Sequence, residues 1–145
     1  TQDVDLWNAL MRTPEINEVE GLWQLLDIAI VGIGQVEFQK ISSMFFIEYI
    51  TPATLAELEA HGAVGDICGH FFDGNGKLVT VGAEVISINL AQLKRIPEVI
   101  AVAGGTEKTR AILGALRGGY VRTLVTDTET ASAVLKVHDA APQGV

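Results

Sequence analysis

Cysteine is nearly absent from this 145-residue chain, which holds one, Cys68. A lone cysteine forms no internal disulfide and builds no zinc site alone, and it fits a reducing compartment, so the expected location is cytoplasmic. Basic residues are also few, ten Lys+Arg against eighteen Asp+Glu, for a net charge of −8. A phosphate lattice selects clustered Lys and Arg, and here they are scattered, which speaks against nucleic-acid binding by this stretch itself. No apolar run approaches the ~20 residues that span a bilayer, so no membrane role is expected. The opening TQDVDLWNALMRT has no basic start and no long apolar core, so it is no signal peptide. It has no initiator Met either, and the chain is expected to be the later portion of a longer one. The fifteen glycines follow no triplet period, which excludes collagen.

What the chain does have is 48% apolar residues and 19% charged. That excludes intrinsic disorder, and the length suits one core, so residues 1–145 are read as a single domain. Leu6, Trp7, Leu10 and Met11 share a helical face. Thr13-Pro14 reads as a cap followed by a first helical residue, and Ile16, Val19, Leu22, Trp23 and Leu26 continue an apolar stripe. Residues 27–34, DIAIVGIG, read as a strand buried on both faces. Residues 35–49 lack a clean period and read as a loop with room for a short helix. Thr51-Pro52 opens a helix with Leu55 and Leu58 inward, closed by Gly62. A strand is expected over 67–72, a hairpin turn at Asp73-Gly-Asn-Gly76 with 77–81 pairing back, and a further strand over 85–88. Leu90 to Leu93 make a short helical turn. Val99 to Ala103 read as a second buried strand, running through Gly104-Gly105 into a helix to about Arg117. A last strand over 123–126 precedes a final helix through Leu135, opened by a Thr126-x-x-Glu129 capping box. Buried strands alternating with amphipathic helices mean an α/β fold with a mainly parallel, Rossmann-like sheet flanked by helices.

Open α/β sheets bind ligands at the carboxyl ends of their strands. Gly32 and Gly34 close the first strand, either as a plain turn or as a place where backbone amides approach a ligand. Gly104-Gly105 before a helix present free N–H groups and a positive dipole end, a natural anion site. Lys108 in the first turn opposes that dipole, which suits a residue kept for an anionic ligand; the alternative is a solvated lysine. The loop is not a Walker A motif, because Glu107 precedes the lysine and the glycine spacing differs. Asp66 follows Gly65 inside an apolar stretch, where its carboxylate either accepts two sugar hydroxyls or caps a turn. His61, His70 and His138 match no metal pattern, and Cys68 reads as a core residue of its strand. Neither a metal nor a cofactor is expected.

Taken together, residues 27–34, HGAVGDICGHFFDGNG (61–76), IPEVIAVAGGTEKTRAILGALRGG (96–119) and TLVTDTETASAVL (123–135) resemble the sugar-binding domain of SorC-type bacterial transcriptional regulators. The resemblance runs in order from about Pro14 to Leu135. It implies the fold of the NagB/RpiA/CoA-transferase-like group and an effector domain that binds a sugar or phosphorylated sugar without turning it over. It also implies a homo-oligomer, dimer or tetramer, and operator DNA bound only through an N-terminal helix-turn-helix domain that nothing in this chain resembles. By the same resemblance Lys108 approaches phosphate or sugar oxygens and Asp66 holds sugar hydroxyls. Gly32 and Gly34 form the loop beside the pocket, and Ser42-Ser43 fall on a polar, ligand-side loop. Two departures stand out: His70 replaces a frequent arginine, and Ala83-Glu84 replace a frequent Asp-Arg pair. Fewer arginines weaken the case for a doubly charged phosphate, since arginine binds phosphate bidentately. The rival readings are a sugar-phosphate isomerase or deaminase of the same fold, with Asp66 as its one obvious acid–base group, and an assembly domain joined through the early Trp and Met stripes.

Overall fold

The computed structural model describes residues 4–36, 50–82 and 85–140. Two helices come first, α1 (Val4–Leu10) and α2 (Pro14–Trp23). Pro14 opens α2 as expected, but the Thr13 hydroxyl does not cap it. It donates backwards, to the Leu10 carbonyl at 2.8 Å. No residue of α2 is fully buried, and Leu22 and Val19 are exposed on its stripe.

Among the described residues, seven strands divide between two sheets. Three are parallel: β1 (Ile28–Gly32), β6 (Glu98–Val102) and β7 (Thr123–Val125), with β6 in the centre. The register is continuous, with Ile30 against Ile100, Gly32 against Val102 and Val102 against Val125. Four are antiparallel, in the order β2 (Gly34–Gln35), β3 (Ala63–Ile67), β4 (His70–Asp73) and β5 (Leu78–Val79). The expected parallel sheet flanked by helices is therefore present, with an antiparallel sheet beside it that accounts for the middle of the chain. The chain passes from one sheet to the other at Ile33, which is buried between β1 and β2.

Three expectations about strands need correcting. Residues 67–72 are not one strand, because Cys68 (φ 53°) and Gly69 (φ 84°) make a two-residue turn between the paired Ile67 and His70. Positive φ at both central positions defines the type I′ hairpin, whose twist matches that of its strands. Cys68 is consequently an exposed turn residue rather than a core one. Residues 85–88 form no strand. Instead Ser87 ties that stretch to the turn, donating from its hydroxyl to the Cys68 carbonyl at 2.6 Å while standing 3.0 Å from His70 Nε2. Finally, among the described residues β1 and β6 are covered on one face only. Ile28, Ile30, Val102 and Val125 are 58%, 72%, 54% and 51% exposed, all on the same side by the register. A run of apolar residues cannot distinguish a strand buried twice from one whose second face is bare.

The main core lies between the inner face of the parallel sheet, the antiparallel sheet and helix α5 (Thr109–Arg117), with Val99, Ala101, Ile67, Phe72 and Ile112 at its centre. A smaller cluster of Leu58, Ala63, Phe71, Val79 and Val81 sits on the far face of the antiparallel sheet, beneath α3 (Pro52–Ala60). Leu58 is fully buried there, and Thr51 caps α3 by accepting from the Thr54 amide at 3.1 Å. The short α4 (Leu90–Leu93) has a reciprocal capping box between Asn89 and Gln92. The turn after β4 is wound about Asp73, whose Oδ1 accepts from the amides of Asn75 and Lys77, both at 2.9 Å. The end of α5 grips that turn: Arg117 donates to the Gly74 carbonyl and the Tyr120 hydroxyl to the Gly76 carbonyl.

Helix α5 seats very closely on β3 and β4. A Cβ on Gly65 would lie 2.6 Å from the Ala111 Cβ, and one on Gly114 would lie 2.7 Å from the Asp73 carbonyl oxygen and 3.1 Å from the Phe72 ring. In an exposed helix, Gly→Ala gains about 1 kcal/mol from propensity. At Gly114 the sign should reverse: overpacking costs about 1–3 kcal/mol, so Gly114→Ala lowers the urea midpoint at unchanged slope. Cys68→Asn, by contrast, should raise the midpoint by adding up to about 1 kcal/mol of stability, because asparagine tolerates the left-handed conformation that cysteine adopts with strain. A fall in the midpoint would show that the thiol makes a contact worth more than the strain.

Candidate functional site

The carboxyl ends of β1 and β6 lie side by side, since Gly32 pairs with Val102. Beyond them the two chains diverge, one into β2 and the other into a 3-10 turn, Thr106–Lys108, that leads into α5. Four expected site residues meet there. Gly34 pairs with Asp66 across β2 and β3, and Gly32 stands two residues earlier, exposed at the end of its strand. Lys108 reaches across from the 3-10 turn and donates from Nζ to the Ile33 carbonyl at 3.0 Å. The absence of a side chain at Gly34 makes this possible. A Cβ there would stand 1.9 Å from Asp66 Oδ1, so the carboxylate occupies the space that glycine leaves. Ser42 and Ser43 lie outside the described residues, as do Ala83 and Glu84.

Asp66 is 7% exposed. Burial pushes its carboxyl above the ordinary carboxylate value, against the opposing pull of the Gly69 amide, which donates to Oδ2 at 3.2 Å, and of the Lys108 ammonium. The turn-capping alternative is thus realised, since Asp66 braces the Cys68-Gly69 turn, and the carboxylate also feels the charge of the lysine. Partial desolvation of the thiol, although the residue as a whole is exposed, and secondly the same carboxylate push Cys68 up and away from thiolate. Lys108 is half-buried, and its contact with a carbonyl accounts for a cation being tolerated in a first helical turn. An ammonium carries three donors, and Ile33 takes one of them.

The expected anion site at Gly104-Gly105 is different from the sequence reading. The Gly105 amide donates to Thr130 Oγ1 at 2.7 Å and to Asp127 Oδ2 at 3.2 Å. The Thr130 hydroxyl in turn donates to Asp127 Oδ2 at 2.7 Å. An internal carboxylate has already claimed this glycine turn, and hydrogen bonds from Thr130 and Gly105 hold it below the usual range. A Cβ on Gly104 would lie 2.7 Å from Asp127 Oδ2 and would push the carboxylate aside, and the φ of 105° at Gly105 favours glycine there. Asp127 is also the cap of the last helix, α6 (Thr128–Ala140), accepting from the Thr130 amide at 2.7 Å. The capping box expected from Thr126 does not form, and the cap falls one residue later, at Asp127. Aspartate ranks at or above threonine as an N-cap, and that preference was the available signal. Another residue the sequence reading overlooked is Gln35, 5% exposed and paired with Gly65 beside Asp66. It falls in a stretch without periodicity, so no pattern marked it.

The arrangement is one carboxylate, one ammonium and backbone groups at glycines, gathered at the ends of parallel strands. Such a set matches small polyhydroxylated molecules, with hydroxyls donating to the carboxylate and oxygens accepting from the ammonium. Among the described residues no cluster of His, Cys, Asp and Glu could hold a metal ion, and no helix is long and apolar enough to cross a membrane. These features define an α/β ligand-binding domain. The particular family follows from comparison: a family model described as "Putative sugar-binding domain" matches residues 1–136. The chain belongs to this family, the sugar-binding domains of SorC-type regulators.

The transcriptional regulator LsrR of Escherichia coli K12 is 44% identical over 116 residues, covering 78% of this chain and 37% of its own length. The sorbitol operon regulator of Klebsiella pneumoniae is 35% identical over 131 residues, covering 89% and 41%. The crystal structure of full-length SorC from K. pneumoniae matches with a TM-score of 0.84 at 33% identity, over 93% of this chain and 43% of that one. A DeoR family regulator from Listeria monocytogenes matches equally well, TM-score 0.84 at 32% identity, over 92% and 54%. The chain therefore spans about two fifths of the curated relatives it matches, and these are named as regulators of transcription rather than as enzymes.

Replacing Asp66 separates stability from binding. A carboxyl whose folded pKa is raised stabilises most at pH below its unfolded value, and that contribution is lost as pH rises through the raised value. Asp66→Asn should therefore remove a decline in melting temperature as pH climbs from the ordinary carboxylate range, leaving the neutral-pH protein as stable or more so. A large loss of stability at neutral pH would mean that ionised Asp66 is a structural anchor.

Proposed function

We propose that this chain is the effector-binding part of a sugar-responsive transcriptional regulator, and that it takes a sugar or phosphorylated sugar at the carboxyl ends of β1 and β6. The observation that carries the reading is the convergence of Asp66 and Lys108, from separate elements, on the Gly34 turn. Asp66 accepts ligand hydroxyls, and Lys108 donates to a ring, hydroxyl or phosphate oxygen. The regulators named among its relatives support the class of ligand and the role.

Ligand binding biases one arrangement of domains or subunits over another, and the coupling typical of such systems is about 1–3 kcal/mol. The assembly is a homo-oligomer, dimer or tetramer, acting in the cytoplasm and touching operator DNA through a separate N-terminal helix-turn-helix domain. Catalysis is not part of this role. An isomerase or deaminase needs a poised acid and base flanking the reacting carbon, whereas Asp66 and Lys108 form a complementary pair suited to holding hydroxyls.

Thermal unfolding against a panel of sugars, polyols and their phosphates tests the proposal. A ligand that binds only the folded state adds about 2.7 kcal/mol at a hundred times its Kd, a clear rise in midpoint. The rise should vanish in Lys108→Ala and in Asp66→Asn, with the ligand recovered unchanged. Silence across the panel, or turnover of a sugar phosphate, would overturn the reading. A response confined to unphosphorylated sugars would assign Lys108 to a sugar oxygen.

A further inference from the structure

Lys108 acts only from where it is held, and the side chains that hold it lie far along the chain. The 3-10 turn that carries the lysine begins at Gly105, whose left-handed backbone is fixed from outside by Thr130 and Asp127. Within the turn, the Lys108 amide donates to the Gly105 carbonyl at 3.0 Å, so the two ends of the turn move together. Thr130 is wholly buried, and its hydroxyl is engaged twice, accepting from Gly105 and donating to Asp127. A threonine at the third position of a helix needs neither bond for the helix to form. Asp127 Oδ1 alone serves as the cap, leaving Oδ2 for Thr130 and Gly105.

We infer that Thr130 and Asp127 are positioning residues for Lys108, and that the first turn of α6 sets the reach of the ammonium to the Ile33 carbonyl and hence to a ligand at Gly34. The inference deepens the reading of Lys108 as a binding residue and rests on it. Two functions are combined in one carboxylate, with one oxygen starting a helix and the other orienting a binding loop 22 residues earlier in the chain. Without the Thr130 hydroxyl, Gly105 keeps only its longer contact to Asp127, and the turn can swing the lysine away from β1.

The test measures the lysine itself and needs no ligand. Reductive methylation of the intact protein with limiting formaldehyde, read residue by residue by peptide mass spectrometry, compares Lys108 with exposed Lys136 in the same molecule. In the unaltered protein Lys108 should react several-fold more slowly. Thr130→Val retains the shape of the side chain and the Asp127 cap, yet should bring Lys108 close to the rate of Lys136, and Thr130→Ser should restore protection. Asp127→Ser provides a second variant, because serine still caps α6 but has no second oxygen for Gly105. It too should expose Lys108 while the far-ultraviolet circular dichroism of the helices is unchanged. Unaltered protection of Lys108 in folded Thr130→Val and Asp127→Ser proteins would overturn the inference. If protection is lost as expected but the sugar panel never produced a response, the positioning role stands and the proposed ligand class falls.

Discussion

The close seating of α5 on the antiparallel sheet is the constraint on which the site depends. Gly65 and Gly114 bring helix and strands to within a methyl group of collision, with Ala111 and Ala115 filling what remains. At that spacing the start of the helix has one place to be, against the bend where β1 passes into β2. Lys108 then finds the Ile33 carbonyl within reach, and the opposite end of the same helix grips the Asp73 turn through Arg117 and Tyr120. Larger residues at the two glycines would lift the helix and move both ends together.

Much of this was legible in the sequence, and the reasons differ by element. The parallel strands β1 and β6 announced themselves through short apolar runs ending in glycine, and α5 through its amphipathic period between two glycine pairs. Asp66 could be singled out because it is charged inside an apolar stretch, and Lys108 because a cation in a first helical turn opposes the dipole. The Cys68-Gly69 hairpin was not legible, because cysteine is not a turn-former and the pattern continues across it as one strand. Burial of β1 on both faces was misread for a related reason: composition reports that a residue is apolar, while exposure depends on what lies opposite.

The glycine pair after β6 illustrates a more general limit. Strand, two glycines and helix is a sound signature for an anion site, and an anion is indeed there. It comes from Asp127, a residue whose local role as a helix cap fully explains its presence in the sequence. Sequence patterns identify what a segment can bind. They do not say whether the chain itself has already supplied the partner from another segment. That the claimed turn also carries the lysine that reaches Ile33 ties two features, read separately along the chain, into one assembly.

The Gly34–Asp66 contact bears on how this site can change over generations. Because the carboxylate fills the volume of the missing side chain, the two positions behave as a single variable. A lineage that exchanges Asp66 for a smaller residue gains room for alanine at 34, whereas one that first acquires alanine there must move the Asp66 carboxylate from its present place. Changes at this pair of positions are thereby ordered, with position 66 free to move first and a side chain at position 34 accommodated only once the carboxylate has moved.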